Sequence, residues 1–186
     1  MVNFKKILIL VIVILTFGIA WKYFKKIAGA RKISIGEIIL NPEKKISTFS
    51  DLVDVFKNGL KLTGYVAIRN FSQNDYTLNQ INVDCFTPKT NRLLAEQTNI
   101  NPNEILLRAN QITNIPFEFK VDIINSLLLF KECEVIPQEW TIWKIIQHPV
   151  EAYKVIELKK LRMKLKGFVQ AEGITLPIDQ DYYLYE

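Results

Sequence analysis

Histidine, cysteine and closely spaced carboxylates are the side chains through which this chain of 186 residues would do chemistry, and it holds few of them. The single histidine, His148, is followed by Pro149. A Ser-His-Asp relay would have to pass through it, yet no glycine-flanked nucleophile elbow is present. Cys85 and Cys133 lie in apolar runs, outside any CxxC or Cys/His cluster, so a zinc site lacks its ligands. Two buried thiols are expected, with a disulfide between them as the alternative. Asp179 and Asp181 are spaced i, i+2, as are Glu132 and Glu134. On a strand such pairs share a face and can hold a cation or move a proton. The seven glycines are scattered, with no P-loop or dinucleotide fingerprint. The expectation is a non-enzymatic protein with no cofactor and no metal.

Lys160, Arg162, Lys164 and Lys166 form a basic stripe at strand spacing that would suit phosphates. The hairpin that must carry them gives another reading. With Glu172-Gly173 as a two-residue turn, Lys166 faces Asp179, Lys164 faces Asp181, Arg162 faces Tyr183 and Lys160 faces Tyr185. On the opposite face Val169 meets Leu176, Met163 meets Tyr182 and Leu161 meets Leu184. One register satisfies both faces, so cross-strand ion pairs and cation–π contacts account for the stripe.

Charge placement excludes nucleic acid as the obvious partner. Of 24 basic residues, Lys5, Lys6, Lys22, Lys25, Lys26, Arg31 and Lys32 fall in 1–32, which has no acidic residue; the remainder carries 17 basic and 19 acidic side chains. A nucleic-acid-binding domain would hold its own basic excess. Residues 7–24 (ILILVIVILTFGIAWKYF) carry one charge, Lys22, close enough to the end to snorkel. As a helix they span about 27 Å, near the roughly 30 Å of a hydrocarbon core. Trp21 and Tyr23 sit where aromatic belts lie, and Lys5, Lys6, Lys25 and Lys26 flank the span. Ala28-Gly29-Ala30 resembles a signal-peptidase site, but Lys22, Lys25 and Lys26 intervene, so an uncleaved anchor is expected. The expected organisation is a basic flank (1–6), a transmembrane helix (7–24), a basic juxtamembrane linker (25–32) and a β domain (33–186). The basic excess after the span places that domain on the cytoplasmic or interior side.

Within the domain, residues 32–40 read as a strand broken by Asn41-Pro42. Thr48 to Asp51 has capping-box form, opening a short helix with Phe49, Leu52, Val53 and Phe56 on one face and Gly59 as its stop. Leu60, Leu62, Val66 and Ile68 then share a strand face, and Asn70–Asp75 is a turn. Leu78, Ile81, Val83 and Cys85 form the next strand, with a bulge between Leu78 and Ile81. A short strand covers 93–97, and 99–103 is loop. Ile115, Phe117, Phe119, Val121 and Ile123 alternate strictly with polar neighbours or proline. Residues 124–157 are open between helix and short strands. Trp140 and Trp143 are expected to pack in the core or at its edge; an exposed pair would instead make a carbohydrate platform. The fold class is mostly β, an antiparallel β-sandwich of seven to nine strands with one or two short helices.

The stretch LKLTGYVAIRNFSQNDYTLNQINVDCF (60–86) resembles the type 2 late-embryogenesis-abundant (LEA) family, also called the water-stress and hypersensitive-response domain. Asn70 stands at the family's Asn-Pro, with Phe71 in place of the proline. ITNIPFEFKVDI (112–123) is similar to its alternating strand, and LKGFVQAEGITLPIDQDYYL (165–184) to its closing hairpin. The resemblance implies a Greek-key sandwich and a non-catalytic, envelope-associated protein. The expected function is a membrane-anchored structural or protein-interaction module in a membrane-associated assembly, either a cell envelope or a virion with a lipid layer. The expected partners are the lipid bilayer and other proteins of that assembly. The alternative is lipid or apolar-ligand binding, with the helix near Phe49–Phe56 as a lid, or LEA-type stress protection.

Overall fold

The computed structural model describes residues 4–97, 105–137 and 139–185, and in the first helix the side chains from Thr16 onward. The loop expected at 99–103 lies outside the described residues. A helix, α1 (Phe4–Ala30), leads into β1 (Ile33–Pro42), α2 (Phe49–Asn58), β2 (Leu60–Asn70) and β3 (Tyr76–Phe86). Two short strands, β4 (Leu93–Ala95) and β5 (Leu106–Leu107), precede β6 (Gln111–Val121). Next come α3 (Ile123–Glu132), α4 (Ile142–Gln147), α5 (Pro149–Val155) and a 3₁₀ turn (Leu158–Lys160). The described chain closes with β7 (Arg162–Ala171) and β8 (Ile174–Tyr183).

The molecule is mostly β, and its strands form two antiparallel sheets. One is three-stranded in the order β1-β2-β6; the other is five-stranded, β4-β3-β7-β8 with β5 also on β3. Alternation explains why they pack. Leu60, Leu62, Val66 and Ile68 of β2 are buried, as are Ile115, Phe117, Phe119 and Val121 of β6. Leu78, Ile81, Val83 and Cys85 of β3 and Met163, Leu165 and Val169 of β7 join them in one apolar core. Each side chain buried this way contributes about 1.5–3 kcal/mol. The β3 pattern slips by one residue because its register against β7 shifts between Leu78 and Gln80. That bulge keeps both Leu78 and Ile81 inward.

Register separates the two ends of the sheets. Asn70, Tyr76, Gln111 and the β7–β8 turn lie at the end where α1 arrives. Pro42, Leu60, Val121 and Arg162 lie at the other end, where α2 to α5 form a helical cap. The edge of β1 is covered by the second sheet. Leu40 N–H donates to Tyr182 Oη at 2.9 Å and Ile46 N–H to Tyr185 Oη at 3.0 Å.

Several expectations need correction. β1 runs through Asn41-Pro42 rather than ending before them, because a proline at a strand's last residue removes no needed donor. Ile123 opens α3 instead of ending β6, since Asp122 Oδ1 accepts Asn125 N–H at 2.8 Å and caps a helix there. Four short helices follow α1, more than the one or two expected. Thr141 caps α4, and Pro149 sits in the first turn of α5, where its missing N–H costs nothing. On α2 Leu52 of the expected face is buried and Phe49, Val53 and Phe56 are half-buried, while Val55, outside that face, is buried as well. The residues expected as a linker, 25–32, are helix as far as Ala30.

The capping box at α2 forms as expected. Thr48 Oγ1 accepts Asp51 N–H, and Asp51 Oδ2 accepts Thr48 N–H at 2.8 Å. Lys44 Nζ lies 2.8 Å from Asp51 Oδ1. This ammonium, then the Thr48 hydroxyl and the Ser47 N–H, hold the Asp51 carboxyl well below the usual carboxylate range. Its folded pKa is depressed, so its contribution is complete above the unfolded value of about 4 and is lost as pH falls below that. Replacing Thr48 by Ala should cost about 1 kcal/mol in urea unfolding. In Asp51→Asn the drop in urea midpoint between pH 7 and pH 3 should be visibly smaller than in the parent chain.

Candidate functional site

The sequence marks the two sides of the apolar span as the place where this molecule meets something else, and the structure builds a joint there. From Thr16 to Lys25 every side chain of α1 is exposed. Phe17, Ile19, Trp21, Tyr23 and Phe24 are among them, each more than half exposed. Phe17 stacks on Trp21, and Lys25 lies over the Trp21 ring at 5.7 Å. Among the described residues no helix is long and apolar enough to cross a membrane; the side chains described for α1, 16–30, are fewer than the roughly 20 a span needs. Lys5 and Lys6 have side chains outside the described ones.

Docking begins at Lys26. Tyr76 has no exposed surface, and its hydroxyl donates to the Lys26 carbonyl at 2.8 Å. Lys26 Nζ pairs with Glu172 Oε1 at 2.8 Å across the β7–β8 turn. Gly29 lies against Ser72, Asn74 and Tyr76; a Cβ there would come within 2.4 Å of Tyr76 Oη. Ala30, one turn on from Lys26, is buried, and so is Ile33 where β1 begins. The helix is therefore keyed into the sheets over its last turn. Between α1 and the β7–β8 turn lies an open groove of about 570 Å³, lined by Ile19, Lys22, Tyr23, Lys26, Ile27 and Glu172.

Asn70 organises the loops against which α1 docks. It is buried, yet fully bonded. Its Nδ2 donates to the carbonyls of Asn74, Leu107 and Arg108 at 2.8, 3.0 and 3.1 Å, and its Oδ1 accepts Ser72 N–H at 3.0 Å. The chain pattern flagged Asn70 only as a turn residue. Its hub role needed the β5 segment, more than thirty residues away, to be brought alongside.

The hairpin places Lys166 opposite Asp179, Lys164 opposite Asp181, Arg162 opposite Tyr183, Met163 opposite Tyr182 and Val169 opposite Leu176. The chemistry along this face differs from ion pairing. Among the described ion pairs neither lysine closes on its aspartate. Lys166 instead lies 5.7 Å from the Phe86 ring. Arg162 Nη1 donates to Tyr183 Oη at 3.1 Å and its guanidinium stands 5.9 Å from that ring. Lys160 is off the ladder, in the 3₁₀ turn, and pairs with Glu157 at 2.9 Å. The Leu161–Leu184 expectation survives as a single bond, Leu184 N–H to Leu161 O at 3.0 Å. Tyr185 serves Ile46 rather than Lys160.

The remaining candidates are scattered. Asp179 and Asp181 are exposed on β8. Glu132 and Glu134 sit at the end of α3, not on a strand: Glu132 accepts the N–H groups of Lys89 and Thr90, and Glu134 pairs with Lys89 Nζ. His148 is exposed at the α4–α5 junction, its Nδ1 3.6 Å from Glu151 Oε2. Cys85 and Cys133 are buried free thiols. Burial pushes both up, Cys85 further, so neither is a ready nucleophile. Among the described residues no cluster of His, Cys, Asp and Glu could hold a metal ion. Trp140 packs partly against the core, whereas Trp143 is 74% exposed, against the expectation of packing for both. Ile145 of α4 is buried.

No protein-family model and no curated protein matches the chain. Among solved structures, the crystal structure of a protein from Archaeoglobus fulgidus is similar to it at a TM-score of 0.39 and 11% identity, covering 81% of this chain and 97% of that one. A likeness of that size carries no argument.

Two measurements test the joint and the thiols. Tyr76→Phe removes one buried hydrogen bond and should cost about 1 kcal/mol. In that variant amide exchange should quicken at 26–32 while the strands keep their protection. Neither cysteine should react with a thiol reagent in the native protein, and both should react in denaturant.

Proposed function

We propose that the protein is a non-catalytic, membrane-anchored β-sandwich that acts as a structural or interaction module in a membrane-associated assembly. The carrying observation is α1. Its side chains from Thr16 to Lys25 are exposed on all sides although most are apolar, and its last turn is locked into the sheets. Apolar side chains are spread round this helix rather than gathered on one face. A helix of that kind belongs in lipid or in the core of a larger assembly. Read as a transmembrane helix at 7–24 with basic flanks, it places Trp21, Lys22 and Tyr23 at the interface. The basic residues after the span favour the β domain on the cytoplasmic or interior side.

The strand order supports a Greek-key reading of the sheets. A constant-type immunoglobulin domain has sheets ABED and CFG. Here β1, β2 and β6 take the places of A, B and E, and β3, β7 and β8 those of C, F and G, with β4 beside β3. This fibronectin-like order agrees with the LEA-type resemblance of 60–86, whose family is non-catalytic. A rigid stalk favours lateral partners over distant ones, because the cap of helices stays at one height above the bilayer. That fits either a cell envelope or a virion in which a single-span protein ties a lipid layer to a coat.

Apolar-ligand handling is the alternative. It would require α2 to open as a lid, and α2 is held by its capping box, by Lys44–Asp51 and by the edge-to-face contact of Phe56 with Phe130. Stress protection rests on the resemblance alone.

The full chain should resist extraction from its native membrane by alkaline carbonate. Ile12→Arg with Leu15→Arg, each costing roughly 2.5–3.5 kcal/mol at a span centre, should move it to the supernatant. Extraction of the parent chain would end the anchor reading. Purification from the membrane as a lone monomer, with no stoichiometric partner, would remove the assembly reading while leaving the anchor.

A further inference from the structure

Phe71 and Ile112 are each 60% exposed, and the topology brings both to the same end of the three-stranded sheet. Ile112 pairs with Arg69 across β2–β6, and Phe71 follows Arg69 by two residues. Both lie at the end of the sheets where α1 arrives. Phe71 N–H donates to the Lys32 carbonyl at 3.2 Å, two residues past the end of the helix.

The charges around them have one prevailing sign. Arg31, Lys32, Arg69 and Arg108 are exposed at this end, with Lys25 one helical turn above. Among the described residues the acidic groups here are Asp75 and Glu172. Asp75 accepts Ala109 N–H at 2.7 Å, and Glu172 is already paired with Lys26. The groove beside α1 repeats the chemistry, with Lys22 and Lys26 among Ile19, Tyr23 and Ile27. Height is set by the helix. From Phe24, the end of the apolar run, to Ala30 is about 9 Å of helix axis. The headgroup layer occupies roughly 5–8 Å of each leaflet. A helix keyed into the sheets by Tyr76 and Glu172 cannot hold the end of the domain far from that layer.

We propose that this end of the domain is itself seated on the bilayer, with Phe71 and Ile112 entering the interface and Arg31, Lys32, Arg69 and Arg108 meeting anionic phospholipid headgroups. The seat rests on the anchor reading above. It turns a single-span tether into a two-point mount, in which the helix fixes position and the apolar–basic corner fixes tilt. Aromatic and apolar groups flanked by arginine and lysine partition into that interface, and each basic group near an anionic surface adds about 1 kcal/mol.

The test uses the full chain in vesicles of phosphatidylcholine, with and without phosphatidylglycerol. Spin labels are placed by Phe71→Cys, Ile112→Cys and, at the far end, Trp143→Cys; Cys85 and Cys133 are buried and stay unlabelled. Relaxation by oxygen and by a water-soluble nickel chelate is compared. At 71 and 112 the oxygen-to-nickel ratio should be several-fold higher than at 143, and should rise further with phosphatidylglycerol. Arg69→Glu should reduce that rise. Equal ratios at all three positions, in vesicles that keep the chain through a carbonate wash, would overturn the seat and leave the anchor standing. Loss of the chain in the wash would overturn both. Labels at 71 and 112 shielded from oxygen and nickel alike would mean that protein covers the corner, which also overturns a lipid seat.

Discussion

Tyr76 has no exposed surface, and still its hydroxyl reaches out of the core to the carbonyl of Lys26. Tyr76 pairs with Leu107 of β5 and is buried in the core, so the bond is made from a fixed point. Everything N-terminal to Lys26 takes its direction from that contact, from the Lys26–Glu172 ion pair, and from the close approach of Gly29 to the turn below it. A buried hydroxyl without a partner would cost about 1–3 kcal/mol, so core and helix enforce each other. Were the helix to swing away, Tyr76 would lose its acceptor and Ala30 its cover. The joint is therefore part of the core and not an attachment to it.

The two ends of the sheets divide the work. At the α1 end, short turns are tied by Asn70, whose amide bonds three carbonyls, and by Ser72, whose hydroxyl bonds both the carbonyl and the N–H of Asn74. At the other end, four short helices cover the strands, and their caps come from Thr48, Asp122 and Thr141. Phe49 meets Tyr153 and Phe56 meets Phe130 edge-to-face across this cap, while Tyr153 Oη donates to Ser47 O at 2.9 Å. Trp143 stays outside that packing. Of the two ends, the first carries bare apolar groups among cations on the side from which the apolar helix emerges.

Much of this was legible in the chain. The β7–β8 register followed from requiring one pairing to satisfy two faces, and the structure shows the same partners from Arg162–Tyr183 to Val169–Leu176. The α2 capping box was legible because it is local: its partners are three residues apart. The β3 bulge showed as a one-residue slip in the apolar pattern. The ion pairs inferred from that register did not follow, because flexible lysines on a solvated face gain little from a carboxylate opposite and Lys166 lies instead by Phe86. Residues 124–157 were illegible because helices of six to ten residues show too few turns for a period to emerge.

By itself the sequence determined the apolar run and its basic flanks, the alternation that makes the β elements, and the turn that closes the last hairpin. All of these are set by neighbours within about ten residues, where steric and hydrogen-bonding preferences act directly. Only the tertiary structure decided that residues 25–30 continue the helix into the core instead of forming a slack tether. It also decided that Asn70 is a hub and that Phe71 and Ile112 share a basic corner below α1. Those outcomes depend on groups far apart in the chain. Lys26 and Glu172 are 146 residues apart, and Asn70 and Leu107 are 37 apart. Such pairings have no local signature, because what places them is the shared burial of strands that meet only after the sheets have formed.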